Sequence, residues 1–230
     1  MKRQGTVSVM DLANEVDGLP SYYFSEQSFA GVEGINGDAV ESKKYKKGTC
    51  SACAFACKLP TQDEERGVET EGPEFEVAMA FGSNSGVDDI VDVMQSNELC
   101  DRLGMDAISA GNTVAAYLAS EDAFGDTDLI HETVEKIAHR DGIGDTLAEG
   151  IDRCYDDLGV ENWTVKGMDF AAHEAVSFTA RDSPTPSPTA ARTTCMRRST
   201  PSSTHSSPTN RRWLRRGRSG KPTCWSSGRT

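Results

Sequence analysis

The feature that most limits what this chain can fold into is a break in composition at Arg181. From there to Thr230 it has no Val, Ile, Phe, Tyr, Gln or Glu, and Met196 and Leu214 are its only large aliphatic residues. Six of the nine prolines and nineteen Ser or Thr fall in the same stretch, so it cannot bury enough apolar area to offset the entropy of ordering it. Residues 175–230 are therefore expected to be a disordered tail, and any core must come from residues 1–174. The charge breaks at the same place. Residues 1–180 carry 13 basic and 35 acidic residues, 13 − 35 = −22, whereas residues 181–230 carry 11 and 1, giving +10. A basic tail that grips anionic partners is one reading of this. Out-of-frame translation of a GC-rich gene, with a frameshift between Glu174 and Arg181, explains the composition better.

The acidic part has the composition of a protein from a high-salt cytoplasm, and its charge argues against nucleic acid as a partner. No apolar run approaches the ~18–20 residues of a membrane span. Met1-Lys2-Arg3-Gln4-Gly5 has no apolar stretch behind it to make a secretory signal. A cytoplasmic protein is expected.

Apolar periodicity predicts a mainly α fold. Asp38 to Lys44 reads as a short helix after the turn Gly34-Ile35-Asn36-Gly37. Val87, Ile90, Val91, Met94, Leu99 and Leu103 lie on one face of a helix with Asp88 and Asp89 in its first turn and Gly104 as its stop. Asn112 is placed to cap a second helix through Val114 and Leu118. A third starts near Thr127, and a fourth holds Ile143, Leu147, Ile151 and Leu158. Glu161 to Val165 reads as a short strand.

Chemistry concentrates at Cys50, Cys53 and Cys57, a C-x2-C-x3-C cluster following Lys43, Lys44, Lys46 and Lys47. Thiolates at this spacing suit zinc or an iron–sulfur cluster. Three structural cysteines would not demand the spacing, and an odd count in a cytosolic-type chain argues against a disulfide framework. Zinc needs a second Cys or His pair; His131 and His139 are distant, so an iron–sulfur cluster with a remote fourth ligand fits better. The lysines would offset its negative charge. Cys100 and Cys154 read as core residues. A small zinc-binding helical module with a basic interaction tail remains the alternative from another functional class.

Cys50-x-x-Cys53-x-x-x-Cys57, Glu71-Gly72-Pro73-Glu74-Phe75-Glu76, the run Asn97 to Asn112 and Val165-Lys166-Gly167-Met168-Asp169 together resemble the aldehyde:ferredoxin oxidoreductases. Those are tungsten- or molybdenum-pterin enzymes, and the match covers about residues 10–174. The resemblance implies a partial helical iron–sulfur and pterin-binding region of that family's middle part. It implies that Cys50, Cys53 and Cys57 are three of the four ligands of a [4Fe–4S] cluster. It further implies that Asp101, Gly104, Met105, Asp106 and Ala107 form a D-x-x-G-L-D-type pterin-binding motif, which on spacing alone is only a helix end. Glu76, or Glu74 two residues earlier, would be the active-site carboxylate. The plain alternative is two solvated acids on an extended segment.

The departures from the family are specific. Its opening β-rich pterin-binding domain, its fourth cluster cysteine and its second D-x-x-G motif have no counterpart here. For the inter-subunit metal of some members, Gln95 stands near where an acid would be needed, and a homodimer is left open. The resemblance thus implies part of an enzyme that oxidises aldehydes to carboxylic acids with ferredoxin as acceptor, and a chain expected to be inactive alone.

Overall fold

The computed structural model describes residues 2–172; the expected tail at 175–230 lies outside the described residues. Among them are eight α-helices and two small antiparallel sheets, so the mainly α expectation is met. A 3-10 turn at Gly5–Val9 leads into α1 (Met10–Glu15), and α2 (Gly37–Lys43) follows. β1 (Pro60–Asp63) and β2 (Val68–Glu71) form a hairpin whose register pairs Pro60 with Glu71. Then come α3 (Phe75–Phe81), α4 (Ile90–Leu103), α5 (Ala107–Glu121) and α6 (Thr127–His139). α7 (Ile143–Leu147), α8 (Ile151–Leu158) and the short pair β3 (Thr164–Val165) and β4 (Met168–Asp169) end the described chain.

The core is built around α3, whose Phe75, Ala78, Met79, Ala80 and Phe81 are almost fully buried. Complete burial of a large apolar side chain contributes about 1.5–3 kcal/mol each. α4 supplies Ile90, Val91, Val93 and Met94 to the same cluster, α5 supplies Val114 and Leu118, and α6 supplies Ile130 and Val134.

Helix ends differ from the sequence reading where two polar residues compete for one role. Asp89 is the N-cap of α4, accepting from the Val91 N–H at 2.9 Å, so it precedes the first turn instead of occupying it. Asn112 caps nothing. The cap of α5 is Asp106, which accepts from Ser109 N–H, and Asn112 lies inside the helix, fully buried. There its carboxamide accepts from Asn84 at 3.1 Å and donates to the Phe170 carbonyl at 3.2 Å. A buried amide of this kind persists only when partnered, and this one ties α5 to the β4 segment. The expected fourth helix is two, divided at Gly150 with φ +82°. Cys100 and Cys154 are buried as expected. Among the described residues no helix is long and apolar enough to cross a membrane.

Candidate functional site

The three cysteines lie on one loop between Gly48 and Lys58, which pair across its base as a single β-bridge. Inside it the Cys53 N–H donates to the Cys50 carbonyl at 3.1 Å, and the Thr49 hydroxyl reaches the carbonyls of Cys50 and Cys53. Ala52 and Ala56 take left-handed backbone conformations that curl the loop. Cys50 is exposed, Cys53 and Cys57 are half-buried, and all three are free thiols. Among the described residues no three His, Cys, Asp or Glu side chains converge on one point at metal-holding distance. The donor set itself, three soft thiols on one short loop, is of the kind that holds iron–sulfur or zinc centres.

The cation that acts on these thiols is Lys58. Its ammonium pairs with Glu71, the main cause of its raised pKa, with smaller contributions from Cys50 and Cys57. The upstream lysines are used differently. Lys43 pairs with Asp63 at 2.6 Å, and Lys44 donates to the carbonyls of Lys2 and Arg3.

The hairpin sets the Glu71–Glu76 segment against the end of the cysteine loop. Gly72 N–H donates to the Leu59 carbonyl at 2.9 Å, and the Thr61 hydroxyl donates to the Gly72 carbonyl at 2.6 Å. Asn97 of α4 donates to the Thr70 hydroxyl at 2.7 Å, fixing β2 to α4. Glu74 is extended, as the last residue before the helix, whereas Glu76 is helical, and neither is fully solvated. Glu74 is the residue before α3 and Glu76 lies in its first turn, both half-buried. The Thr6 hydroxyl donates to the Glu74 carboxylate and accepts from the Phe75 N–H at 2.9 Å. Glu76 accepts from the Ala172 N–H at 2.6 Å. The two carboxylates thus face different neighbours. One residue before Thr6, Gly5 has φ +57°, and a Cβ there would lie 2.9 Å from the Cys57 carbonyl and 2.5 Å from Leu59. Thr6 and Gly5 carry no signal in the sequence, because their partners lie some fifty to seventy residues away.

Asp101 to Ala107 forms the junction of α4 and α5. Gly104 is left-handed at φ +73°, and Met105 N–H returns to the Cys100 carbonyl at 2.9 Å, closing α4. Asp101 is exposed at the edge of a cleft of about 580 Å³, facing Tyr45, Glu69, Glu71, Glu98 and Arg102. Glu74 and Glu76 do not line this cleft. Asp106 spends one carboxylate oxygen on the cap of α5, 2.9 Å from Ser109 N. Asp169, from the fourth matched segment, meets the same helix start. Burial pushes its carboxyl pKa up; a hydrogen bond with Ser109 opposes the shift, and Asp106 and Asp152 add to it.

The structure therefore joins the cysteine loop to the Glu71–Glu76 segment, and the Val165–Asp169 segment to the α4–α5 junction, with Asn97 linking the two halves.

The family model of "Aldehyde ferredoxin oxidoreductase, domains 2 & 3" matches residues 1–184. The tungsten-containing aldehyde ferredoxin oxidoreductase of Pyrococcus furiosus is 31% identical over 196 residues, covering 76% of this chain and 32% of that protein. That of Thermococcus kodakarensis is 32% identical over the same length and shares, and that of Pyrococcus horikoshii is 32% identical over 168 residues. The chain spans about a third of the length of these relatives. The match of sequence, helical architecture and motif order makes this chain a member of the aldehyde ferredoxin oxidoreductase family.

Proposed function

We propose that this chain contributes the iron–sulfur and pterin-facing part of an enzyme that oxidises aldehydes to carboxylic acids and delivers the electrons to ferredoxin. One observation carries the reading: Gly5 lies on the Cys57 carbonyl while Thr6 holds Glu74, so a loop of soft donors and an acidic segment share one short piece of backbone. Cys50, Cys53 and Cys57 would hold three irons of a [4Fe–4S] cluster, the fourth ligand coming from elsewhere. Asp101, exposed, has carboxylate oxygens that can accept from amino groups of a pterin ring, while Gly104, Met105, Asp106 and Ala107 shape the turn beneath it.

The reaction RCHO + H2O → RCOOH + 2H+ + 2e− needs a base for the protons and an exit for the electrons. When bound, a pterin-held tungsten, the metal in the relatives' names, supplies the two-electron chemistry and a cluster the one-electron transfers. Glu76 or Glu74 is the carboxylate of this chain proposed to take a proton; Thr6 orients Glu74, and the Ala172 amide orients Glu76. The protein would work in the cytoplasm, and the 230-residue chain alone is not expected to turn over aldehyde.

The test is anaerobic purification followed by reconstitution with iron and sulfide. Close to four irons and four sulfides per chain, with a reduced-state paramagnetic signal that Cys53→Ser abolishes, supports the reading. Stoichiometric zinc in place of iron would move the assignment to the zinc module.

A further inference from the structure

The described region is strongly acidic, and its cations are mostly neutralised in place. Arg66 pairs with Asp89 and Asp92, Lys136 with Glu132, Arg140 with Asp145 and Glu149, and Arg153 with Glu149. Beside the cysteine loop the pattern inverts. Lys2, Lys46 and Lys47 are exposed and form no ion pair among the described residues, although Lys46 also borders the cleft of Asp101 and feels Glu69 and Glu71 across it. They are gathered by construction. The Lys44 ammonium donates to the carbonyls of Lys2 and Arg3 at 2.9 and 3.1 Å, fixing the N-terminal stretch to the end of α2, and the Lys46 ammonium sits 4.7 Å from the Tyr45 ring centre. Between them is a concavity of about 310 Å³ whose one carboxylate, Glu41, is taken by Arg3 at 2.8 Å.

One residue past Lys47 the cysteine loop begins, and between Cys53 and Cys57 it carries Phe55 at 70% exposure. An exposed aromatic on the loop that directly follows these cations in sequence has, with them, the make-up of a protein interface, an apolar contact with charge nearby in the chain. We propose that Lys2, Arg3, Lys46 and Lys47, with Phe55, form the docking surface for a small acidic electron-carrier protein. The proposal rests on the electron-transfer reading of the cysteine loop. The electrostatic logic is one of exclusion. An acidic partner is repelled by the excess of carboxylates across the described residues and attracted at this patch, so encounter is oriented toward the cysteines. A nucleic acid would extend its phosphates past so small a patch onto acidic surface, which disfavours it.

The experiment is calorimetric titration of the full chain with a purified acidic ferredoxin at two salt concentrations, with iron and sulfide measured on the same sample. Affinity should fall as salt rises, and K46E/K47E should weaken binding about tenfold or more and reduce the salt dependence. Phe55→Ser should weaken binding and leave the salt dependence intact, and Lys136→Glu, on α6, should change neither. Circular dichroism of each variant separates misfolding from lost contact. Unchanged binding by well-folded K46E/K47E overturns the proposal, as does tighter, K46E/K47E-sensitive binding of a single-stranded RNA oligonucleotide. The two readings fail separately: salt-dependent, K46E/K47E-sensitive ferredoxin binding by iron-free chain supports the docking surface and overturns the cluster assignment. A loaded cluster with insensitive binding does the reverse.

Discussion

Thr6 holds Glu74 across a sequence separation of 68 residues, its hydroxyl donating to the carboxylate while accepting from the Phe75 N–H at 2.9 Å. One side chain thus fixes the entry to α3 and aims an acid. Thr6→Val keeps the shape but removes both bonds, so the Phe75 N–H and the Glu74 carboxylate lose the Thr6 hydroxyl. The expected loss is about 1–3 kcal/mol in urea unfolding of the full chain, with Thr6→Ser restoring most of it. A Thr6→Val chain as stable as the unaltered one would mean that water replaces the hydroxyl without cost.

Gly5 and Gly104 both have positive φ, but only Gly5 is crowded. A Cβ at Gly5 meets the Cys57 carbonyl and Leu59, whereas nothing lies within 4 Å of one at Gly104. Gly104→Ala should therefore cost only the left-handed backbone penalty, about 1–2 kcal/mol. Gly5→Ala adds displacement of well-packed backbone, for a total of about 2–4 kcal/mol. It should also speed modification of Cys57, read by mass spectrometry. Equal costs for the two variants would show that the cysteine loop yields freely to the N-terminal turn.

These contacts explain what the sequence could and could not reveal. α4 and α6 were legible because their apolar residues recur at helical spacing, and Gly104 stands at the left-handed end of α4. The β1–β2 hairpin was not, since Thr61, Gln62, Asp63 and Glu69 give no apolar alternation, and it is tied to the fold by Asn97 on another helix. The Asn112 misassignment has the same root. A polar residue buried by a tertiary partner looks locally like a cap, and only Asn84 and Phe170 reveal its role. In the candidate site the cysteines, Glu74, Glu76 and Asp101 stood out by motif. Thr6, Gly5 and Lys58 act through distant contacts that no local pattern encodes.

Asp169 should give the fold a measurable pH dependence. Burial holds its carboxyl above the ordinary 3.8 in the folded chain, with Asp106 and Asp152 adding to the shift against a bond from Ser109. Between the unfolded and folded values the native state keeps a proton that the unfolded chain has released, so stability falls as pH rises through that window and stays lower above it. Asp169→Asn removes the penalty while its side-chain oxygen can still accept from Ser109. The variant should be the more stable at pH 7 and close to the unaltered chain at about pH 3, where the Asp169 carboxyl is largely protonated in both the folded and the unfolded state. A variant less stable at pH 7 would show that the ionised carboxylate is itself a needed acceptor.

The five cysteines of the described residues should separate into two classes by reactivity. Burial pushes the Cys100 thiol up to about 12, with Asp101 and Asp106 adding, and the Cys154 thiol up to about 11, again chiefly through burial. At pH 8 the thiolate fractions are then roughly 10⁻⁴ and 10⁻³, and both side chains are also shielded from reagent. Cys50, Cys53 and Cys57 lie on the loop surface or half-buried at its wall. Brief iodoacetamide treatment followed by peptide mapping should label the three loop cysteines and spare Cys100 and Cys154 until denaturant is added. Prior reconstitution with iron and sulfide should protect the loop trio, because donation to iron lowers the charge and nucleophilicity of each sulfur and the cluster shields it. Equal labelling of Cys100 in the native chain would mean that α4 opens from the core. Loop labelling unaffected by reconstitution would separate these three thiols from iron altogether.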